Sequence, residues 1–323
     1  MDKQKKTVSL VLGSGGARGM AHIGVIRCLE DQGYEIKNIA GASIGALVGG
    51  FYAAGKLDQF QSWVTALDRK NVLGLLDLSF TGGGLFKGDK LMDALESLVK
   101  DRVIETLPID FTAVAVDLER QKEVWFTDGS LYEAVRASIA IPSVFKPHFY
   151  RNMYLVDGGV LNPVPVAASM KYVTDITLAV NLNAKRNPLA PKLDPEVMQS
   201  KRLTAENGAV QRAVKRFIDR WSNEDKEATG HERQFSTVEL INRSIETMQN
   251  TMAHMKLAAN RPDILIEVPY TLGGLFDYHL AEEMIEEGYQ LCLKSLLHFD
   301  QVDTEDPSTS DFHGIQRETY EQP

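Results

Sequence analysis

The chain has 323 residues, 44% of them hydrophobic and 24% charged, so it holds enough apolar material for a sizeable core and is not disordered throughout. Its net charge of −9 argues against a nucleic-acid partner, which would demand a basic footprint to neutralise phosphates. Cys28 and Cys292 stand in apolar, helix-like stretches without a C-x-x-C spacing or a nearby histidine cluster, so they read as reduced thiols and not as a disulfide or zinc framework. No stretch reaches the ~18 consecutive apolar residues of a spanning helix, and the run Val8 to Leu12 falls short of a signal-peptide core of ~7. The expected location is cytoplasmic.

In chain order, Thr7 to Leu12 is a strand-like apolar run that ends at Gly13-Ser14-Gly15-Gly16, and Met20 to Leu29 continues at helical spacing. Asn38 to Ala42 and Ile44 to Ala54 repeat the strand-turn-helix pattern. Two such units predict a parallel sheet with crossover helices, an α/β fold. Leu57 to Val103 is mostly helical, broken by the glycines after Thr81. Phe111 to Val116 and Glu123 to Phe126 are strand-like, Ser130 to Ala140 is helical until Pro142, and Tyr154 to Val156 is a short strand ending at Asp157-Gly158-Gly159. Asn162-Pro163 has the form of a cap followed by proline and predicts a further helix. Asp175 to Val180 is strand-like, Ser236 to Ala259 helical, Ile264 to Val268 strand-like and His279 to Leu297 helical.

Two segments stand apart in composition. Residues 184–235 form a polar insertion, with 11 Lys/Arg against 8 Asp/Glu over 184–233. Within it Val210, Ala213, Val214, Phe217, Ile218 and Trp221 recur at helical spacing beside Arg212, Lys215, Arg216 and Arg220, the pattern of a basic amphipathic helix. Such a helix suits core packing, a lid, or peripheral contact with an anionic membrane surface at the inner face. Residues 300–323 carry seven acidic side chains and one Arg, which predicts a disordered acidic tail after a domain spanning 1–299.

The chemistry centres on Gly41-Ala42-Ser43-Ile44-Gly45, a G-x-S-x-G between a strand and a helix. A serine there is held in a tight elbow at a helix N-terminus, whose dipole favours developing negative charge. Gly13-Ser14-Gly15-Gly16-Ala17-Arg18-Gly19 also follows a strand and opens a helix. It lacks the Gly-Lys-Ser/Thr of a P-loop, and no acidic residue stands where a dinucleotide site would need one. A run of small residues can instead aim backbone amides at an oxyanion. Asp157 ends a strand among glycines and is the candidate base; a D-G hairpin turn is its structural alternative. A Ser-His-Asp triad with His279 or His298 is the mechanistic rival, since the order Ser, Asp, His matches that of α/β-hydrolases. Both histidines sit at the ends of the closing helix, and Ser43 comes earlier than that fold places its elbow. His22 is placed to support the glycine loop.

The string Leu10 to Ile26 (LVLGSGGARGMAHIGVI), with Gly41 to Gly45 and Asp157-Gly158-Gly159, resembles the patatin-like phospholipases, in particular the short bacterial RssA-like branch related to the catalytic domain of neuropathy target esterase. Trp125 to Gly129, Ala137 to Pro142 and Arg261 to Ile266 extend the likeness over roughly residues 7 to 297. The resemblance implies a three-layer patatin-like fold with a central, mainly parallel sheet flanked by helices. It implies a serine lipid acyl hydrolase of phospholipase A or lysophospholipase type, with Ser43 as nucleophile and Asp157 as base. The backbones of Gly15, Gly16, Ala17 and Arg18 would form the oxyanion hole, while Gly13, Gly19, Gly41, Gly45, Gly158 and Gly159 shape the motifs. No cofactor or metal is called for, and the partners are phospholipid, lysophospholipid or other lipid esters. Ser14 departs from a glycine common in the family. Acyl transfer to another acceptor, general esterase activity and a regulatory role with little turnover stay open as alternatives.

Overall fold

The computed structural model describes residues 5–75, 84–86, 89–99, 102–184 and 237–304. The basic amphipathic segment 210–221, nearly all of the polar insertion and most of the acidic tail lie outside them.

Among the described residues ten strands are formed: β1 (Thr7–Leu12), β2 (Glu35–Ala42), β3 (Gly84–Phe86), β4 (Asp110–Asp117), β5 (Lys122–Phe126), β6 (Ser143–Phe145), β7 (His148–Tyr150), β8 (Met153–Asp157), β9 (Ile176–Ala184) and β10 (Ile264–Pro269). Eight build the main sheet in the order β10-β9-β1-β2-β4-β8-β7, with β5 also on β4, and β3 pairs with β6 separately. The β10, β9, β1, β2 and β4 pairings are parallel, whereas β5, β8 and β7 join antiparallel.

The helices among the described residues are α1 (Ala21–Asp31), α2 (Ile44–Ala53), α3 (Leu57–Thr65), α4 (Arg69–Leu75), α5 (Asp89–Val99), α6 (Leu131–Ser138), α7 (Thr237–Ala259) and α8 (Ala281–Thr304). Because alternate strand residues face opposite ways, β1 divides the core in two. Val8, Leu10 and Leu12 pack with α1, α2 and α8 on one face. On the other, Val11 and Ala179 meet Val164 and Val166 and, from α7, Ala253 and Leu257. The result is three layers around a mainly parallel sheet.

Two expectations differ from what is observed. The helix expected at Asn162-Pro163 is reduced to a 3-10 turn at Val166–Ser169. The Pro163 carbonyl accepts the Ser14 amide at 2.8 Å, and Pro165 disfavours helical backbone at Val164 before it, so the chain does not enter an α-helix there. The closing helix α8 continues to Thr304, into the segment expected to be tail. No described helix is long and apolar enough to cross a membrane.

Candidate active site

Strand register brings the two parts of the site together. Leu12 of β1 lies opposite Gly41 of β2, so the glycine loop and the G-x-S-x-G turn leave the sheet side by side. At the end of β2, Ser43 adopts φ 57° and ψ −126° before α2 begins. That positive-φ backbone is uncommon for a residue with a side chain and is held by its surroundings. The Ser43 amide donates to Ser138 Oγ at 2.9 Å, and the Ser138 hydroxyl donates onward to the Val114 carbonyl at 2.6 Å. The Ser43 carbonyl accepts from Ala46 and Leu47 and starts α2. Gly45 is needed because a Cβ there would run into the Leu12 carbonyl oxygen, so the helix can approach β1 only with no side chain at this position.

Asp157 arrives by a different route. Residues 113–114 of β4 pair with both β2 and β5, which therefore lie on opposite edges, and residues 115–117 pair with both β8 and β5. Strands β2 and β8 thus share one edge of β4 and, running in opposite directions, meet at their C-terminal ends. Ala42 is opposite Val114 and Asp157 is opposite Ala115, so Ser43 and Asp157 fall next to each other. Ser43 Oγ donates to Asp157 Oδ2 at 2.5 Å, and Oδ1 accepts the Gly159 amide at 2.7 Å. That second bond caps a 3-10 turn at Gly158–Val160 and removes the hairpin alternative.

Both side chains are buried. Desolvation pushes the Asp157 carboxyl up to about 7, against the opposing pull of the Ser43 hydroxyl and Gly159 amide, which favour the charged form. A carboxylate with that affinity can take the serine proton near neutral pH. The buried phenol of Tyr278 is held neutral, its pKa raised by burial and by the Asp157 charge.

The glycine loop forms a 3-10 turn at Gly16–Met20, with Gly16 at φ 59°. Among the described residues no acceptor takes the Gly15 or Gly16 amide, whereas the Ala17 amide donates to the Leu275 carbonyl at 2.9 Å. Of the four residues expected as oxyanion donors, Ala17 therefore has its amide already engaged. The Arg18 side chain anchors the loop, with Nε on the Leu182 carbonyl at 3.1 Å, Nη1 on the Gly273 carbonyl at 2.8 Å and Nη2 on Asn183 Oδ1 at 2.8 Å. Asn183 Nδ2 closes the ring onto the Ser14 carbonyl at 3.1 Å. His22 supports the loop as expected, donating from Nε2 to the Gly13 carbonyl at 2.8 Å, and burial lowers its pKa to about 4, so it is neutral.

Two spaces meet at Ser43. An apolar cavity of about 720 Å³ extends from Ser43 and Gly16 past Leu47, Phe60, Leu91 and Leu95. A more polar cleft of about 570 Å³ holds Ser14, Gly15, Gly16, Ser43 and Asp157 together with Asn183, Glu246 and Gln249. Among the described residues no histidine bonds to Ser43 or Asp157. His279 accepts from Arg69 Nε at 3.1 Å and stands 3.8 Å from Asp277, and His298 lies exposed on α8. The sequence pattern does not mark Ser138, Leu275 or Tyr278 as part of the site, although Ser138 falls within a segment that carries the family likeness.

The patatin-like phospholipase family model matches residues 10–170. An NTE family protein of Mycobacterium tuberculosis strain H37Rv is 36% identical over 95% of this chain and 96% of its own length. The chain belongs to the patatin-like phospholipase family. Its members hydrolyse lipid esters, so the family is one of carboxylic ester hydrolases. Lysophospholipase nte1 of Emericella nidulans is 28% identical over 55% of this chain but 12% of its own length. Patatin-like phospholipase domain-containing protein 7 of Mus musculus is 29% identical over 55% of this chain and 14% of its own. In those two large proteins the matched region is a small part of the whole.

Proposed function

We propose that the chain is a serine acyl hydrolase of phospholipase A or lysophospholipase type that works through a Ser43–Asp157 dyad. The observation that carries this reading is the 2.5 Å bond from Ser43 Oγ to a buried carboxylate at the mouth of an apolar cavity. Ser43 Oγ attacks the ester carbonyl while its proton passes to Asp157 Oδ2. The amides of Gly15 and Gly16 bind the oxyanion; each such donor typically stabilises the transition state by ~3 kcal/mol. On collapse the C–O bond of the carboxylic ester breaks, and the freed alcohol, the glycerol hydroxyl of a phospholipid, takes the proton from Asp157, leaving acyl-Ser43. Water then gives a proton to Asp157 and attacks the acyl carbonyl, and the second collapse releases the fatty acid and returns the proton to Ser43.

The acyl chain enters the apolar cavity, and the head group faces the cleft of Asn183, Glu246 and Gln249. One hydrolase domain that runs to the end of α8, in the cytoplasm and with peripheral contact to an anionic inner membrane surface, belongs to the same reading. Free, buried Cys28 and Cys292 suit a reducing cytoplasm, and the relative matched over 96% of its own length suits a single domain. Fluorophosphonate labelling and ester hydrolysis test the dyad together. Wild type, His279→Ala and His298→Ala should label and turn over, whereas Ser43→Ala should do neither and Asp157→Asn should lose at least about a thousandfold in kcat. Turnover by Ser43→Ala, or its loss in a histidine variant while Asp157→Asn stays active, overturns the reading.

A further inference from the structure

The cavity at Ser43 has a neighbour. A second pocket of about 350 Å³ lies between α2, α5 and α6, lined by Leu47, Gly50, Met92, Leu95, Val99 and Val135 among others. Leu47 and Leu95 line both spaces and form the wall between them. Leu47 follows Ser43 by one helical turn, its amide bonded to the Ser43 carbonyl at 3.1 Å, so it stands on the same side of α2 as the serine. Gly50, one turn further, presents no side chain to the second pocket. A Cβ there would already stand 3.2 Å from Leu131 Cδ1, so the floor is close-fitting. At the outer end the lining turns polar with the exposed Glu96 and with Tyr132.

We propose that the second pocket is a distal subsite for the acyl chain, reached between Leu47 and Leu95, and that these two leucines with Glu96 set the chain length the protein accepts. The proposal rests on the acyl-hydrolase reading. A chain bonded to Ser43 first fills the main cavity, and its terminal methylenes pass the two leucines into the second pocket. Each methylene buried there raises kcat/KM about fourfold, until the end meets the Glu96 carboxylate, which no hydrocarbon terminus can pass favourably.

The test is the ratio of kcat/KM for p-nitrophenyl palmitate to that for p-nitrophenyl octanoate, in wild type and in Val99→Trp, which fills the second pocket from a residue that does not line the first. The ratio should fall by about tenfold or more, the effect of excluding about two methylenes. Leu95→Phe narrows the passage, should lower the same ratio, and serves if Val99→Trp does not fold; circular dichroism and melting establish folding. An unchanged ratio in a folded variant that still cleaves octanoate overturns the distal subsite alone. If wild type cleaves no ester of either length and Ser43 is not labelled, the acyl-hydrolase reading falls, and the subsite with it.

Discussion

Replacing Asp157 with asparagine separates the site's chemistry from its cost to the fold. Burial moves the carboxyl from its ordinary 3.8 to about 7. The folded protein therefore holds that proton more tightly than the unfolded chain. The stability this confers is complete below pH ~4, declines by about 1.4 kcal/mol per pH unit as pH rises toward 7, and is gone above it. Over about three units the ionised carboxylate costs the fold about 4 kcal/mol. The asparagine side chain mimics the protonated acid: its carbonyl oxygen can keep the Gly159 amide, and its NH2 can donate to Ser43 Oγ, but it cannot ionise. The Asp157→Asn protein should match wild type near pH ~4 and exceed it by about 4 kcal/mol at pH ~8, while hydrolysis is lost. Urea unfolding of both proteins at a series of pH values measures this. A stability difference that does not change with pH, or a variant less stable than wild type at the alkaline end, would refute the assignment of a desolvated carboxylate.

Three further outcomes follow from the same geometry. In wild type, kcat/KM for a neutral ester should fall on the acid side with a midpoint near pH 7, as Asp157 in the free enzyme becomes protonated; a profile that stays flat down to pH ~5 contradicts the desolvated environment of this carboxyl. Ser138→Ala leaves the Ser43 amide and the Val114 carbonyl without their partner, so it should cost ~1–3 kcal/mol in urea unfolding and lower kcat more than it raises KM. Gly45→Ala sets a methyl against the Leu12 carbonyl oxygen, and a melting curve should show a loss of at least ~1–3 kcal/mol, with Ser43 labelling slowed as the elbow shifts.

The first βα units are legible in the sequence because their signals are local. The alternation and helical spacing of Thr7 to Leu29 and Asn38 to Ala54 report backbone periodicity, and glycine marks where a side chain cannot fit. The helices around residues 131–138, 237–259 and 281–304 are legible for the same reason. Strands β6 and β7 are not, since three residues show no period. The helix expected at Asn162-Pro163 fails because the Pro163 carbonyl belongs to Ser14, a partner distant in sequence. In the candidate site, the small-residue pattern marks Ser43, Asp157 and the glycine loop. It cannot tell that Leu275, from the far end of the chain, occupies the Ala17 amide, nor that Ser138 steadies Ser43.

The parallel α/β layering, the elbow at Ser43 and the candidate Asp157 can all be read along the chain, because each depends on steric and periodic constraints acting within a few residues. That the two side chains meet is a matter of long-range packing. Their adjacency comes from β2 and β8 meeting head to head on one edge of β4, a register set by long-range strand pairing. The proton affinity of Asp157 comes from burial beneath segments distant from it in the chain. Those are properties of packing, and no local window of residues contains them.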